Sequence, residues 1–399
     1  MMVHPGKWIV LLGLALTCVD TFAQQASTAS QVLDDLPQQP PVSEHNVVVY
    51  RQPGRYGGWP ANHGIWSWGN EILVGFEAGY FKQQQKRHSI DWDLPAEHLL
   101  ARSLDGGETW VTEKHPDLRP PNGMKVAGVL TEPGGKPAVD CTGGINFLKP
   151  NFILTARMSD TDGGPSRFYY SMNRGRSWKG PYKIPDFPNF GQKGSAARTD
   201  YIVYGKHDLV LFLSVPKRNG KEGRVMVVRT NDGAKTWHFV SYIGPEPNGN
   251  DYAIMPSSVR LSSTSVLTAI RHSHWIELWR SDDDLKTWHF VNRPAPSTGM
   301  GNPPSMIRLR DGRIAITYGY RARPYGIHAR LSSDDGQTWG PEIILRSNAG
   351  WWDIGYPRTV QRSDGKIVTI YYWDDAPDQE RYIAATIWDP GPNTTDPKE

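Results

Sequence analysis

Most of the chain consists of short runs in which apolar and polar positions alternate, each run closed by a turn. Val47-Val48-Val49-Tyr50, Ile314-Ala315-Ile316-Thr317-Tyr318 and Ile367-Val368-Thr369-Ile370-Tyr371 are rich in the β-branched and aromatic residues that suit strands. After such runs one pattern recurs, Ser/Thr-x-Asp-x-Gly-x-Thr-Trp. It is complete at 103–110 and 332–339, and variants stand at 171–178, 230–237 and 281–288. The Asp or Asn accepts backbone N–H bonds within a turn, Gly permits a positive φ, and Trp returns into the space between sheets. A second repeat opens strands with Pro256-Ser257-Ser258, Pro304-Ser305-Met306 and Pro357-Arg358-Thr359.

Repeats of about 50 residues, each holding about four strands, specify an all-β chain folded as a single β-propeller. Third strands fall near 103, 171, 230, 281, 332 and 386, so direct counting predicts six blades. The last has no box, and the strand at 47–50 is expected to complete its sheet and close the ring. A seventh, degenerate blade has room between 111 and 145, where the spacing is widest.

Composition agrees. Gly 40 and Pro 32 supply turns, and Trp 16, Tyr 17 and Phe 11 supply bulk for packing between them. Lys+Arg 44 against Asp+Glu 41 leaves a net charge of +3, which excludes an acidic disordered chain and a strongly basic nucleic-acid binder. Lys7 followed by the apolar run 8–19 and Thr21-Phe22-Ala23 reads as a secretory signal peptide, too short to span a bilayer. The expected organisation is a leader at 1–23, a linker at 24–45, the propeller at 46–388 and a tail at 389–399. The expected location is secreted or periplasmic, with no membrane attachment once the leader is removed. Cys18 falls in the leader, so Cys141 is left alone, with no intrachain disulfide, and reads as a small buried hydrophobe. A monomer is expected.

In a four-stranded blade the boxes join strands three and four on one face of the disc. Strand 2–3 loops and the leads into the inner strands lie on the other. That face gathers His63, Lys82, His88, Tyr182, Arg198, Lys217, Lys221, Arg271, Arg321, Tyr356 and Arg358. A cationic face on a nearly neutral protein points to an anionic partner, an acidic oligosaccharide or polysaccharide. Lys82, Lys217 and Lys221 read as solvated charges. Arg271, Arg321 and Arg358 are the substrate-binding candidates, joined by Trp66 as a sugar-stacking platform, although Trp66 and Trp68 also suit core packing. His272 and His274 have no third spaced ligand, so no metal site is expected.

The boxes resemble those of the sialidase-like propellers across nearly all of the mature chain. Tyr50-Arg51-Gln52-Pro53 resembles the sialidase Tyr-Arg-Ile-Pro motif at three of four positions, but no clear acid Asp follows it. The segment Gly57-Gly58-Trp59-Pro60-Ala61-Asn62-His63-Gly64-Ile65-Trp66-Ser67-Trp68 instead resembles the propeller lyases that act on L-rhamnosyl-α-1,4-D-glucuronate linkages, formerly called α-L-rhamnosidases, and more distantly the propeller ulvan lyases. That resemblance implies seven blades, no required cofactor, a structural calcium by analogy, and a catalytic set of one or two His, a Tyr and an Arg. In that order stand His63, His88, Tyr182 and Arg198: His63 as principal acid/base, Tyr182 as its proton-transfer partner, Arg198 on the carboxylate, His88 assisting charge neutralisation.

The residue types suit β-elimination from a uronate. The C5 proton is weakly acidic until the adjacent carboxylate is neutralised, and a guanidinium does so with two hydrogen bonds. A base and an acid must then flank the ring. The competing readings are an exo-α-sialidase or other glycoside hydrolase, and a non-catalytic propeller that binds acidic glycans.

Overall fold

The computed structural model describes residues 1–2, 45–121, 125–189 and 191–393. The expected leader and linker lie outside these residues except at 1, 2 and 45, as does the tail from 394.

Six sheets form the blades of a propeller. Blade one pairs Glu71–Tyr80, Glu97–Ser103 and Val111–Glu113, and its inner strand is split into Arg55–Gly58 and Ile65–Trp68. One helical turn, Pro60–His63, bulges between the two halves. Blade two has three strands, Ile153–Arg157, Ser166–Ser171 and Lys179–Ile184. Blade three comprises Tyr201–Val203, Leu209–Pro216, Glu222–Thr230 and His238–Ile243. Blade four comprises Ile254–Arg260, Val266–Arg271, Ile276–Ser281 and His289–Ala295. Blade five comprises Ser305–Arg308, Ile314–Tyr320, Gly326–Ser332 and Ile343–Arg346. In blade six, Gly355–Gln361, Ile367–Trp373 and Tyr382–Trp388 are joined by His45–Tyr50, which pairs antiparallel with Tyr382–Trp388 as the outer strand.

Each of the five boxes joins the last two strands of its blade, the third and fourth in the four-stranded blades and the second and third in blade two. In the box of blade five, Asp334 Oδ1 accepts the Thr338 N–H at 2.9 Å and Oδ2 accepts its hydroxyl at 2.5 Å. The sixth blade lacks a box for a topological reason: its fourth strand comes from the other end of the chain, so no hairpin is needed there. Middle strands are buried on both faces, as Leu209–Pro216 and Ile367–Trp373 are throughout. Burying one such Val, Leu, Ile or Phe stabilises by about 1.5–3 kcal/mol, so blade-to-blade contact holds the ring, and Cys141, the one cysteine among the described residues, is free.

The seven-blade expectation is corrected to six. The segment from 114 to 145 forms a short 3-10 turn, Pro116–Leu118, and a two-stranded hairpin, Lys125–Val126 with Val129–Leu130. Its prolines and glycines (Pro116, Pro120, Pro121, Pro133, Gly134, Gly135, Pro137) cannot sustain a ladder.

Candidate functional site at the propeller axis

The leads into three inner strands share a local device. Trp59, Met255 and Tyr356 each precede a proline and take a left-handed backbone conformation, with φ of 56°, 53° and 50°. A residue before proline is disfavoured in the right-handed helical region, and the left-handed one costs a non-glycine residue roughly 1–3 kcal/mol. The register slips at the same points in blades four and six, between Ile254 and Ser257 and between Gly355 and Arg358. At Tyr356 the turn is secured by fully buried Asn302. Asn302 Oδ1 accepts the Tyr356 N–H at 3.0 Å, and its Nδ2 donates to the Ile354 carbonyl at 3.0 Å. Gly355, at φ 98°, is required there, because a Cβ would lie 2.5 Å from Asn302 Nδ2.

Around Tyr356 gather side chains from five blades. Arg271 Nη1 donates to the Tyr356 hydroxyl at 2.9 Å, and Nη2 donates to the Tyr252 hydroxyl at 3.2 Å. The Arg321 guanidinium lies 5.3 Å from the Tyr356 ring centre and 5.3 Å from that of Trp352, and it donates to the Tyr372 hydroxyl at 2.6 Å. Burial alone would push the Tyr356 phenol up. Arg271, Arg321 and Arg198 outweigh burial and bring it below its ordinary value. His88, on the strand 2–3 loop of blade one, stands 6.1 Å from the Tyr356 ring, between Trp59 at 5.0 Å and Trp352 at 5.8 Å.

A buried carboxylate orients His88. Asp353 Oδ1 accepts from His88 Nδ1 at 2.5 Å and from the Tyr372 hydroxyl at 2.6 Å, while Oδ2 accepts the Ser89 N–H at 2.8 Å. Burial opposes charge on Asp353, but His88, Arg381 and Arg321 hold its carboxyl below the usual carboxylate range. With Nδ1 committed to Asp353, Nε2 is the ring nitrogen left for proton transfer. The axis therefore presents a cation-flanked phenol, two guanidinium groups and an Asp-backed imidazole, walled by indoles.

The expected site residues divide. His88, Arg271 and Arg321 meet at this axis, and Arg198 contributes to its field. Arg198 itself pairs with Glu222 rather than with Asp200, and its Nε donates to Asn62 Oδ1 at 3.1 Å. His63 lies apart and is 2% exposed, its Nδ1 against Arg157 and its ring 5.1 Å from that of His98. Burial and Arg157 hold its imidazole well below the ordinary value, so it is neutral at neutral pH. Gly64 anchors it, since a Cβ there would come within 2.8 Å of Thr199 Cγ2.

Three placements correct the sequence reading. Tyr182 belongs to the outer strand of blade two, stacked 5.9 Å from Tyr170 and 5.4 Å from Phe168, because its strand carries the box Trp hairpin outward rather than leading to the axis. Trp66 is core, not a platform: it packs 6.0 Å from Trp178 and donates to the Tyr201 hydroxyl at 3.1 Å. Arg358 turns inward and donates at 2.5 Å to the carbonyls of Ala61 and Thr199, tying backbone segments from other blades together. Among the residues the sequence reading did not single out as site members are Asp353, Tyr372, Trp352, Tyr252 and Asn302. Tyr356 was visible as a loop tyrosine, and the residue–Pro repeat at 255–256 and 356–357 was its signal.

Fold and axis together define a sialidase-like β-propeller. Residues 152–369 match the family described as BNR repeat-like domain, and the chain belongs to that family. No curated protein gives a significant sequence match. Among solved structures, a protein of unknown function from Dyadobacter fermentans superposes with a TM-score of 0.64 at 21% identity, over 88% of this chain and 99% of that one. The NanB sialidase of Streptococcus pneumoniae gives 0.55 at 11% identity, over 90% and 72%. The α-L-arabinanase of Penicillium chrysogenum, complexed with arabinobiose, gives 0.55 at 16% identity, over 88% and 99%. At these identities the likeness is one of fold.

Proposed function

We propose that the protein is a secreted carbohydrate-active enzyme that cleaves a 4-linked uronate by β-elimination, removing L-rhamnose from glucuronate in an acidic plant or algal polysaccharide. The observation that carries this reading is the Tyr356 phenol held against Arg271 and flanked by Arg321. A phenol surrounded by cations ionises more readily and can serve as a base. The same guanidinium groups match a sugar carboxylate in charge and shape.

In the reaction, the Tyr356 phenolate takes the C5 proton while Arg271 and Arg321 offset the carboxylate. The C5–H electron pair becomes the C4–C5 double bond and the C4–O bond breaks. His88, protonated and backed by Asp353, gives a proton to the departing glycosyl oxygen, so free rhamnose and a 4,5-unsaturated uronate leave without consuming water. Solvent then takes the C5 proton from the Tyr356 hydroxyl and returns one to His88, which restores the starting state. The roles expected of Tyr182 and His63 thus pass to Tyr356 and His88, and Trp59 and Trp352 offer apolar faces to a 6-deoxy sugar.

Hydrolysis is the second reading, favoured by the sialidase and arabinanase among the structural neighbours. A tyrosine nucleophile wants a carboxylate to accept its proton, whereas Tyr356 has Arg271 as its hydrogen-bond partner and Met255, not an acid, on the neighbouring inner-strand lead. The test is incubation of the purified protein with rhamnosyl-glucuronate in ¹⁸O-water, with products read by ultraviolet absorbance and mass spectrometry. An unsaturated, unlabelled uronate is expected. Saturated glucuronate, with the label in the released sugar, assigns the hydrolase instead, and no turnover of acidic oligosaccharides that bind leaves a lectin.

A further inference from the structure

Away from the axis site, a small pocket of about 10 Å³ lies between blades one and two. Its ionisable walls are His63, Glu77, His98 and Arg157, at 2%, 3%, 7% and 4% exposure. Both ring nitrogens of His98, Glu77 Oε1 and Arg157 Nη2 are buried without a hydrogen-bond partner. An orphaned buried polar atom costs about 1–3 kcal/mol, and several orphans on one void that admits a single small particle mark a binding place.

The charge balance says what kind. Arg157 stands opposite Arg167 on adjacent strands, both buried, and Glu77 is the carboxylate that acts on Arg157. Burial pushes the Glu77 carboxyl up to about 8, so at neutral pH it offers an O–H rather than a negative charge. His98, like His63, is kept neutral by burial and the neighbouring arginine. What remains is a positive field and hydrogen-bond donors from three sides. A water could donate to the bare ring nitrogen of His98, but it leaves the field uncompensated. A one-atom anion only accepts, and it cancels the charge.

We infer that this pocket is a structural site for a monovalent, halide-sized anion, held by Arg157 Nη2, a ring N–H of His98 and the Glu77 carboxyl, joining blade one to blade two. The test uses the whole chain. Crystals soaked in bromide are expected to show an anomalous peak against Arg157 and His98, and an ordered water there without bromide overturns the inference. In solution, the Tm is expected to rise saturably by about 2 °C or more in chloride relative to gluconate at equal ionic strength. Arg157→Met should lose that response, while Glu77→Gln, which keeps a neutral donor, should retain it. Equal Tm values in the two salts refute the site even if Arg157→Met fails to fold.

Discussion

Replacing Tyr356 by Phe removes one hydroxyl and little else. The Arg271 Nη1 bond at 2.9 Å is lost, but the guanidinium keeps the Tyr252 hydroxyl at 3.2 Å and Met255 Sδ at 3.3 Å. A hydrogen bond to a charged group is worth about 1.5–3 kcal/mol, and retained partners bring the loss to the lower end. For a chain of this size that is a Tm change of about 2–4 °C. Proton transfer by a positioned side chain contributes about 10²–10⁴ in rate, or about 2.7–5.4 kcal/mol at 1.36 kcal/mol per decade. Y356F is therefore expected to stay folded while kcat on rhamnosyl-glucuronate falls at least a hundredfold, KM changing little because both arginines remain. The rising acid limb of the wild-type pH–rate profile, centred below the ordinary phenol value of about 10, should disappear with the hydroxyl. A Y356F enzyme with kcat within tenfold of wild type would refute Tyr356 as the base.

Asp353→Asn strips His88 of its buried counter-charge, which is expected to cost about 3–5 kcal/mol in thermal unfolding at neutral pH. Because the folded Asp353 carboxyl is depressed, its stabilisation is present above the ordinary value of about 3.9 and is lost as the pH falls below it. The variant's Tm should accordingly fall less than the wild type's on acidification from about pH 5. Asn302→Ala leaves the Tyr356 and Gly319 N–H groups unpaired, at about 1–3 kcal/mol each, and should lower kcat together with Tm. Tyr182→Phe should leave kcat/KM within about twofold, since outer-strand packing lies outside the transition-state contacts; a larger fall would return Tyr182 to the catalytic set.

The blades were legible because each box is a local contract: Ser332, Asp334, Gly336 and Thr338 satisfy one another within a single turn, so residue type alone reports the geometry. The face carrying the 2–3 loops followed from strand parity, which put His88, Arg271 and Arg321 on one side correctly. Assigning roles by order along the chain failed for Tyr182, because a blade's outer strand and the next blade's inner strand are adjacent in sequence yet lie at opposite radii. Asp353 and Asn302 were hidden for another reason. Their importance comes from partners 265 and 54 residues away, as in the contacts to His88 and Tyr356, and no local pattern records such a meeting.

The closing strand has a consequence for biosynthesis. Asn46 and Thr386 share a 2.7 Å hydrogen bond across 340 residues, so the strand at 45–50 finds its partner only after the rest of the propeller has been made. At 5–20 residues per second that delay is roughly 20–70 s. During it the valine-rich ribbon has no mate, and a message cut short before codon 382 would yield five blades with an unclosed circle.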